Sequence, residues 1–381
     1  MKNPVLQSVK DRSNRRVFLK KGAVAAGAAT LGVGLFERRL SASDQEGREE
    51  KSGRLTKGDA ALLRFAAAAE ILETDFWVQY NELGGVPNTN EVPGGSGIPA
   101  YTAALQKLDM DMPQYIHDNT DDEFTHQNFL NAYLASKGAS TVSLEPFRNL
   151  LGSSATGSSG KKRLTNLTQL TVDTSWWVRY RNGDHNPDLE PNFQFQQAVP
   201  DLAVGQHTAI PRTNADLNDP NFLQAIANTA GFHFATIEQG GTSLYPAMAQ
   251  RATHPEVLRI LISIGPTETM HFQTWQDKAG NAIPLTATDP VTGVTVTFND
   301  LTNPAVGEDL QANLIMPEPC PFISPNLPRC SVIRPTNTEG IAKGVVKFLT
   351  DMGLFIGQSK EFFALLTDLA EDADEARREI D

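Results

Sequence analysis

The sequence predicts a mainly α-helical protein built around four core helices. The first observation is that four segments place apolar residues three and four positions apart, a spacing typical of helices with one buried face. The second is that each of these segments carries a glutamate, and in two of them a histidine follows that glutamate three residues later. We expect the four helices at about residues 59–83, 121–137, 221–252 and 255–278.

The N-terminal 43 residues resemble a twin-arginine export signal and are excluded from the fold. Arg-Arg-Val-Phe-Leu-Lys at 15–20 is followed by an apolar run, rich in alanine and glycine, from Gly22 to Phe36. That run is too short, and its side chains are too small, to predict a membrane span. We expect cleavage near Ser43, although Arg38 and Arg39 leave the site open. The alternative interpretation is a basic helix or a retained anchor.

This resemblance implies export through the twin-arginine machinery to the periplasm or the extracellular space. Residues 44–56 are charged and are expected to form a disordered linker, so the folded domain is predicted to span 57–381. The full chain has a formal net charge of −12. Removing residues 1–43, with nine of the 33 basic and two of the 45 acidic residues, leaves 24 against 43 and a net charge of −19. Such a surface repels nucleic acid and anionic membranes, so we expect no nucleic-acid partner.

The first core helix has the clearest apolar pattern. Leu62, Phe65, Leu72 and Phe76 recur at helical spacing within an alanine-rich segment. Gly84, with the glycine that follows it, is a typical helix end. The segment therefore predicts one long helix with a buried face.

Two long insertions separate or follow the core helices. Residues 138–217 are rich in Gly, Ser, Pro and Asn, with short strands expected around 167–172. We interpret this segment as an elaborated crossover between the second and third core helices. The second insertion, 279–337, contains an alternating stretch that predicts a β-hairpin within 282–300. Two C-terminal helices are expected at 338–352 and 359–372.

Prolines and glycines disturb the pattern of the third and fourth helices. Pro246 lies in the third, after Gly240 and Gly241, and Pro266 lies in the fourth, after Gly265. A proline inside a helix removes a backbone hydrogen bond and kinks the helix. We therefore expect both helices to be bent or interrupted near the glutamates that they carry.

The two cysteines of the chain, Cys320 and Cys330, both lie in a proline-rich stretch of the second insertion. In an oxidising compartment, a disulfide across this short loop would hold such a stretch in place. We predict that disulfide. A metal role is not predicted, since two thiols in a loop do not complete a zinc site.

Two Glu-x-x-His pairs carry the functional prediction: Glu123 with His126, and Glu268 with His271. Residues three positions apart share one face of a helix, so a carboxylate and an imidazole can converge on one metal ion. Neither pair is specific by itself, because this spacing also arises by chance on helix surfaces. The two pairs together, on the second and fourth helices, favour a common metal site.

The first and third helices each supply one further carboxylate, from Glu73 and Glu238. Four carboxylates in one core would be untenable without compensating charge. Two divalent cations would bring +4 against −4, and each ion would bind one neutral imidazole. Which glutamates bridge the ions and which bind one ion stays open.

The order Glu, Glu-x-x-His, Glu, Glu-x-x-His resembles that of the ferritin-like superfamily, and within it of exported bacterial ferritin-like and desiccation-related proteins. The resemblance covers the four core helices, about a third of the mature chain, and not the insertions. It implies a four-helix bundle with a dinuclear centre of iron or manganese, zinc being possible. It also implies redox chemistry with oxygen or peroxide on a small-molecule oxidant or substrate, of ferroxidase, oxidase or catalase type.

A different class of function stays open: a non-catalytic bundle with a stress-protective or structural role, in which the metal only stabilises the fold. Iron storage is disfavoured, because the large insertions would obstruct the packing of a closed cage. No catalytic residue is assigned, and the oligomeric state is left open.

Two choices at the site remain open at this stage. Glu70, one turn before Glu73, is the other candidate from the first helix. Glu73 is preferred because Tyr80 follows it by seven residues, as Tyr245 follows Glu238 in the other half. These tyrosines either donate hydrogen bonds to ligating carboxylates or are ordinary core residues. His233 is expected to lie off the site, since it is about 140° from Glu238 around a helix.

Overall fold

Eight α-helices and two small antiparallel β-ladders make up the described part of the chain. The computed structural model describes residues 54–86, 90–185, 189–190, 192–312, 317–333 and 338–379. The expected export signal and most of the expected linker lie outside the described residues. The prediction of a mainly helical protein is confirmed.

The helices are α1 Lys57–Gly84, α2 Pro99–Leu105, α3 Met112–Ser136, α4 Trp176–Arg179, α5 Pro220–Ala249, α6 Pro255–Ala279, α7 Ile341–Asp351 and α8 Lys360–Glu375. The strands are β1 Leu150–Leu151, β2 Lys162–Arg163, β3 Leu285–Thr288 and β4 Thr295–Phe298. The four predicted core helices correspond to α1, α3, α5 and α6.

The helix α3 begins nine residues earlier than the sequence suggested, at Met112 rather than at about Asp121. Its first half turns polar residues inward: Asn119 and Thr120 are both buried. The Thr120 hydroxyl donates a hydrogen bond to the Ile116 carbonyl oxygen at 2.6 Å. Inward-facing polar residues weaken the apolar period, which is why the pattern missed this half of the helix.

Side-chain caps and prolines define where the core helices start. Thr56 accepts a hydrogen bond from the Asp59 amide at 3.0 Å and caps α1. Asp219 accepts from the Asn221 amide at 2.8 Å and caps α5, with Pro220 as its first residue. Caps of this kind satisfy amides that have no partner inside the helix, and proline suits the first helical position.

The expected interruption of the third and fourth helices does not occur. Both α5 and α6 continue through Pro246 and Pro266. The neighbouring glycines have a different role, which is to let these two helices come close. A Cβ at Gly265 would lie 2.7 Å from the Cβ of Tyr245, and one at Gly241 would lie 2.4 Å from Oε2 of Glu268.

The core helices associate as two pairs, α1 with α3 and α5 with α6. Large aromatic side chains join the pairs. The indole of Trp77 on α1 stacks on Phe234 of α5 and on Trp275 of α6, with ring centroids 4.8 and 5.3 Å away. All three side chains are buried, so both pairs contribute to one hydrophobic core.

The first insertion is held against α1 and α5 by buried polar contacts. The Asp75 carboxylate of α1 accepts hydrogen bonds from the amides of Leu164 and Thr165, both at 2.9 Å. The Trp176 indole donates to Thr236 of α5 at 2.9 Å. Among the residues of this insertion that the structure describes, strand structure is limited to the short β1–β2 ladder and one bridge between Leu170 and His207, so the strands expected around 167–172 are not formed.

The second insertion contains the predicted hairpin. Strands β3 and β4 pair antiparallel, with Leu285 opposite Phe298. Further on, Cys320 and Cys330 face each other across an antiparallel bridge, with backbone hydrogen bonds of 3.3 and 3.0 Å. Both cysteines are thiols in this structure, and the disulfide stays a prediction. Directly opposed residues in such a bridge have Cα atoms about 5.5 Å apart, within the usual range for a disulfide.

Within the described ranges, no helix combines the length and the apolar character that crossing a membrane would require.

Candidate metal centre

The core helices bring acidic and histidine side chains into two adjoining groups. In each group, one ligand atom per residue lies within 4.8 Å of all the others. The first group is Glu70, Glu123, His126 and Glu268, and the second is Glu123, Glu238, Glu268 and His271. Glu123 and Glu268 belong to both groups. The chain therefore has two overlapping groups of side chains, sharing two carboxylates, that are positioned to bind metal.

Five of the six residues predicted from the sequence are in these groups, and Glu73 is not. Glu70, the alternative from the same helix, is in the first group instead. Its side chain is buried, whereas Glu73 is only half-buried. The Glu73 carboxyl still lies near the centre: burial, followed by the charges of Glu268 and Glu70, raises its pKa well above the usual value.

The two matching tyrosines have different partners. The Tyr245 hydroxyl donates a hydrogen bond to Oε1 of Glu70. Tyr80 instead pairs with Nδ1 of His233 at 2.9 Å. Burial lowers the pKa of His233 to about 3, so this histidine is neutral. It is in neither group, as expected from its angular position on the helix.

Further hydrogen bonds hold the carboxylates in place, and the sequence analysis did not identify their donors. The Trp77 indole donates to Oε1 of Glu238 at 3.1 Å. Asn119 donates to Oε1 of Glu123 at 2.8 Å and to Oε1 of Glu238 at 3.1 Å. The Trp275 indole fixes the Asn119 amide by donating to its oxygen at 2.6 Å. Asn119 lies one turn before Glu123 on the same helix face, and this spacing is the feature of the sequence that could have identified it as a donor to Glu123.

The two histidines point the same ring nitrogen into the centre. Nδ1 of His126 is 3.2 Å from Glu70 and 3.1 Å from Glu123. Nδ1 of His271 is 3.2 Å from Glu238 and 3.3 Å from Glu123. Burial lowers the pKa of His126, but the Glu70 and Glu123 carboxylates outweigh burial and raise it to about 11.

The His271 ring is also held from its outer side. Its Nε2 lies 3.0 Å from Oδ2 of Asp122. A hydrogen bond there places the proton on Nε2 and leaves the lone pair of Nδ1 for a ligand. A carboxylate behind a metal-binding histidine has this orienting role in many proteins.

The electrostatics of the centre indicate that positive charge is needed. Burial, and after it the Glu70 charge, raises the pKa of Glu123 from 4.5 to about 7. Burial also raises the pKa of Glu268 well above its usual value, with the Glu123 carboxylate adding to the effect. In the part of the chain that the structure describes, neither oxygen of Glu268 accepts a hydrogen bond, although the residue is fully buried.

The nearest charged partner of Glu268 is Nδ1 of His126, 3.5 Å from its Oε1. A buried carboxylate without hydrogen bonds is costly, and a cation is the group that would satisfy it. The donor set consists of carboxylate oxygens and imidazole nitrogens, without thiolate. Such donors suit manganese, iron and zinc. The residues present therefore fit a divalent metal ion in both charge and chemistry.

Comparison of the chain with protein-family models, with curated proteins and with solved structures gave no match. The interpretation of the centre therefore depends on the residues and geometry of this chain.

Proposed function

We propose that the chain is an exported ferritin-like protein that holds two divalent metal ions, iron or manganese, between α1, α3, α5 and α6 arranged as a four-helix bundle. The observation that carries this proposal is the pair of four-residue groups sharing Glu123 and Glu268. These two carboxylates would bridge the ions. Zinc is compatible with the same donors.

Each ion would also have its own carboxylate and its own histidine. One would bind Glu70 and His126, and the other Glu238 and His271. Four carboxylates and two neutral imidazoles then balance two divalent ions. This balance explains how one core can hold four carboxyl groups that would otherwise repel one another.

When bound, such a metal pair supplies redox chemistry with dioxygen or peroxide. The surrounding residues of the chain orient the ligands. Tyr245 donates to Glu70, while Trp77 and Asn119 donate to Glu238. Asp122 fixes the tautomer of His271. Side chains that are already hydrogen-bonded in place need little rearrangement when an ion binds.

Export through the twin-arginine machinery is part of the proposal. The support is the paired arginines at 15 and 16 and the apolar run that follows them. That route moves proteins that are already folded, which suits a protein loaded with metal before export. The proposed location is the periplasm or the extracellular space.

The alternative is a non-catalytic protective or structural protein in which metal stabilises the bundle. Deep burial of the centre favours this alternative: the four carboxylates are at most 1% exposed, and each histidine side chain is 11% exposed. A redox enzyme needs access for its oxidant, and the partly exposed histidines are where access would occur.

Metal analysis of protein purified from its natural compartment tests the proposal. We expect about two ions of iron or manganese per chain. Consumption of peroxide or dioxygen by the loaded protein would support the redox function. Two bound ions without turnover would favour the protective alternative, and a chain without bound metal would refute both.

A further inference from the structure

A groove of about 730 Å³ lies between α3 and α6 and borders the candidate metal centre at His126. One end is lined by His126 and Thr267, and the other end, here called the mouth, by Lys137, Glu256 and Arg259. His126 thus belongs both to the first ligand group and to this groove. A molecule bound in the groove would therefore lie next to the centre.

The two helices run in opposite directions along the groove. Asp122 contacts His271 near one end, and Lys137 pairs with Glu256 at the other. Eleven residues separate His126 from Lys137, which corresponds to about 16 Å along a helix. The volume and length suit an elongated small molecule, since ligand cavities commonly have about 300–1,000 Å³.

The middle of the groove is apolar. Phe129 of α3 and Ile260 and Ile264 of α6 line it. Phe129 is 52% exposed, although it is a large apolar side chain. Exposed apolar surface in a concave site favours an apolar ligand, because binding removes that surface from water.

The mouth of the groove is cationic. Lys137 lies 2.8 Å from Glu256, which also accepts a hydrogen bond from Tyr133 at 2.9 Å. Arg259 adds a second cation on the exposed side of α6. Among the described residues that line the mouth, two cations, Lys137 and Arg259, accompany one carboxylate, Glu256, on a chain whose net charge is −12. This contrast favours an anionic group at the mouth.

We propose that the groove binds an amphipathic carboxylate, such as a medium-chain fatty acid. Its carboxylate would lie near Arg259 and Lys137, its chain along Phe129 and Ile264, and its apolar end beside His126. The ligand would thus present its apolar end, not its carboxylate, to the metal centre. Its role as a substrate rests on the proposed function, whereas its binding depends only on the groove.

Calorimetric titration of the full chain with three probes of equal chain length tests this proposal. We expect dodecanoate to bind more tightly than dodecanol, and dodecyltrimethylammonium to bind weakest. Arg259→Gln should weaken dodecanoate about 2–5-fold and leave dodecanol unchanged, as for a partly solvated ion pair. Arg259→Glu should reverse the preference between the two charged probes. The exposed Lys107→Gln, outside the groove, is the matched control.

A second variant tests where the chain lies. Ile264→Trp should fill the groove and weaken all three probes by about 10-fold or more. Ile262→Trp, on the same helix but 54% exposed and outside the groove lining, should leave binding unchanged. If Ile264→Trp does not fold, the two surface variants of Arg259 still decide the result.

Three results would overturn the proposal: no binding of dodecanoate, equal binding of the two charged probes, or dodecanoate affinity unchanged by Arg259→Glu. Each titration is repeated on metal-loaded and chelator-treated protein. Dodecanoate binding by a chain that takes up no metal would support the groove site while refuting the proposed function. Two bound ions without dodecanoate binding would refute the groove site while supporting the proposed function.

Discussion

The two helix pairs offer the same residue types to the centre but hold them differently. In the pair α1–α3, Glu70 receives its hydrogen bond from Tyr245 of α5. In the pair α5–α6, Glu238 receives hydrogen bonds from Trp77 of α1 and Asn119 of α3. Each pair therefore orients the carboxylate that the other pair supplies, and neither half of the site is complete alone.

The histidines differ more than the carboxylates. His271 is held from behind by Asp122, whereas among the described residues no carboxylate does the same for Nε2 of His126. His126 lines the groove instead. The comparison suggests one firmly held half of the centre and one half that faces incoming molecules, and the following predictions test this difference.

The largest effect is expected at a residue shared by both groups. Glu268→Gln should abolish binding of both ions, because the substitution removes a charge from each position while keeping the side-chain shape. Glu73→Gln is the matched control and should retain two ions, since Glu73 is in neither group. Metal analysis of the two purified variants measures this. Two ions in Glu268→Gln, or loss of metal only in Glu73→Gln, would show that the ligand set is different.

A smaller loss is expected when one histidine is removed. His126→Ala and His271→Ala should each lose about one of two ions and any redox turnover. The metal-loaded form should be destabilised by about 3 kcal/mol, because the remaining buried carboxylates lose compensation. His185→Ala, at a half-buried histidine outside both ligand groups, serves as control. Unchanged metal stoichiometry in both site variants would contradict the assignment of one histidine per ion.

The pH dependence of stability should differ in sign between metal-free and metal-bound protein. The Glu123 pKa is raised from 4.5 to about 7, so in this window the folded metal-free chain holds a proton that the unfolded chain releases. Its free energy of unfolding therefore falls as pH rises from about 4.5 to 7. At higher pH, the raised pKa of His126 likewise makes the free energy of unfolding fall as pH rises.

The metal-bound form should instead lose stability in acid, because protons compete with metal for the same atoms. We expect metal loss at about pH 4–6, between the reference pKa values of carboxylates and histidine. The difference in melting temperature between metal-loaded and chelator-treated protein should thus be larger at pH 7.5 than at pH 5. Equal melting temperatures at pH 7.5 would mean that metal is not coupled to the fold.

Local spacing was sufficient to predict the core helices and both Glu-x-x-His pairs, because these depend on residues three and four positions apart. The choice between Glu70 and Glu73 could not be made that way. Both lie on the same side of α1, and which of them reaches the centre depends on the rotation of the helix. That rotation is set by packing against α5, where Tyr245 meets Glu70.

The contacts of Trp77, Asn119 and Asp122 with the site also could not be predicted from local sequence patterns, because they join residues on different helices. The groove could not be predicted either, because it depends on the distance between α3 and α6, and the residue spacing within one helix contains no information on that distance. The prolines do not interrupt the helices for a related reason: the effect of a proline depends on the neighbours that pack around it, and both helices continue. The bend that the sequence also predicted stays a prediction.

Adjacent glycines in α5 allow a test of the close approach between α5 and α6. A Cβ at Gly241 would overlap with Glu268, whereas one at Gly240 would meet no atom within 4 Å. Gly241→Ala should cost about 1–3 kcal/mol and weaken metal binding, because it displaces a shared carboxylate. Gly240→Ala should be neutral or stabilising by up to about 1 kcal/mol, as expected for alanine in a helix. Thermal melts of both variants, with and without metal, measure the difference; similar behaviour would argue against a close approach at Glu268.

The smallest effect is expected behind His271. Asp122→Asn removes the charged acceptor of Nε2 and should make His271 resemble His126, which lacks such a partner among the residues described. Loss of an orienting carboxylate typically lowers metal affinity about 10-fold or more, and the half exposure of Asp122 places this case at the low end. Asp118→Asn, exposed on the same helix, is the control. Competition with a chelator of known affinity should show that only one of the two ions, the more tightly held one in the wild type, loses affinity in Asp122→Asn. Equal affinities in both proteins would mean that packing against α6, rather than Asp122, orients the ring, and that the two halves of the centre are held alike.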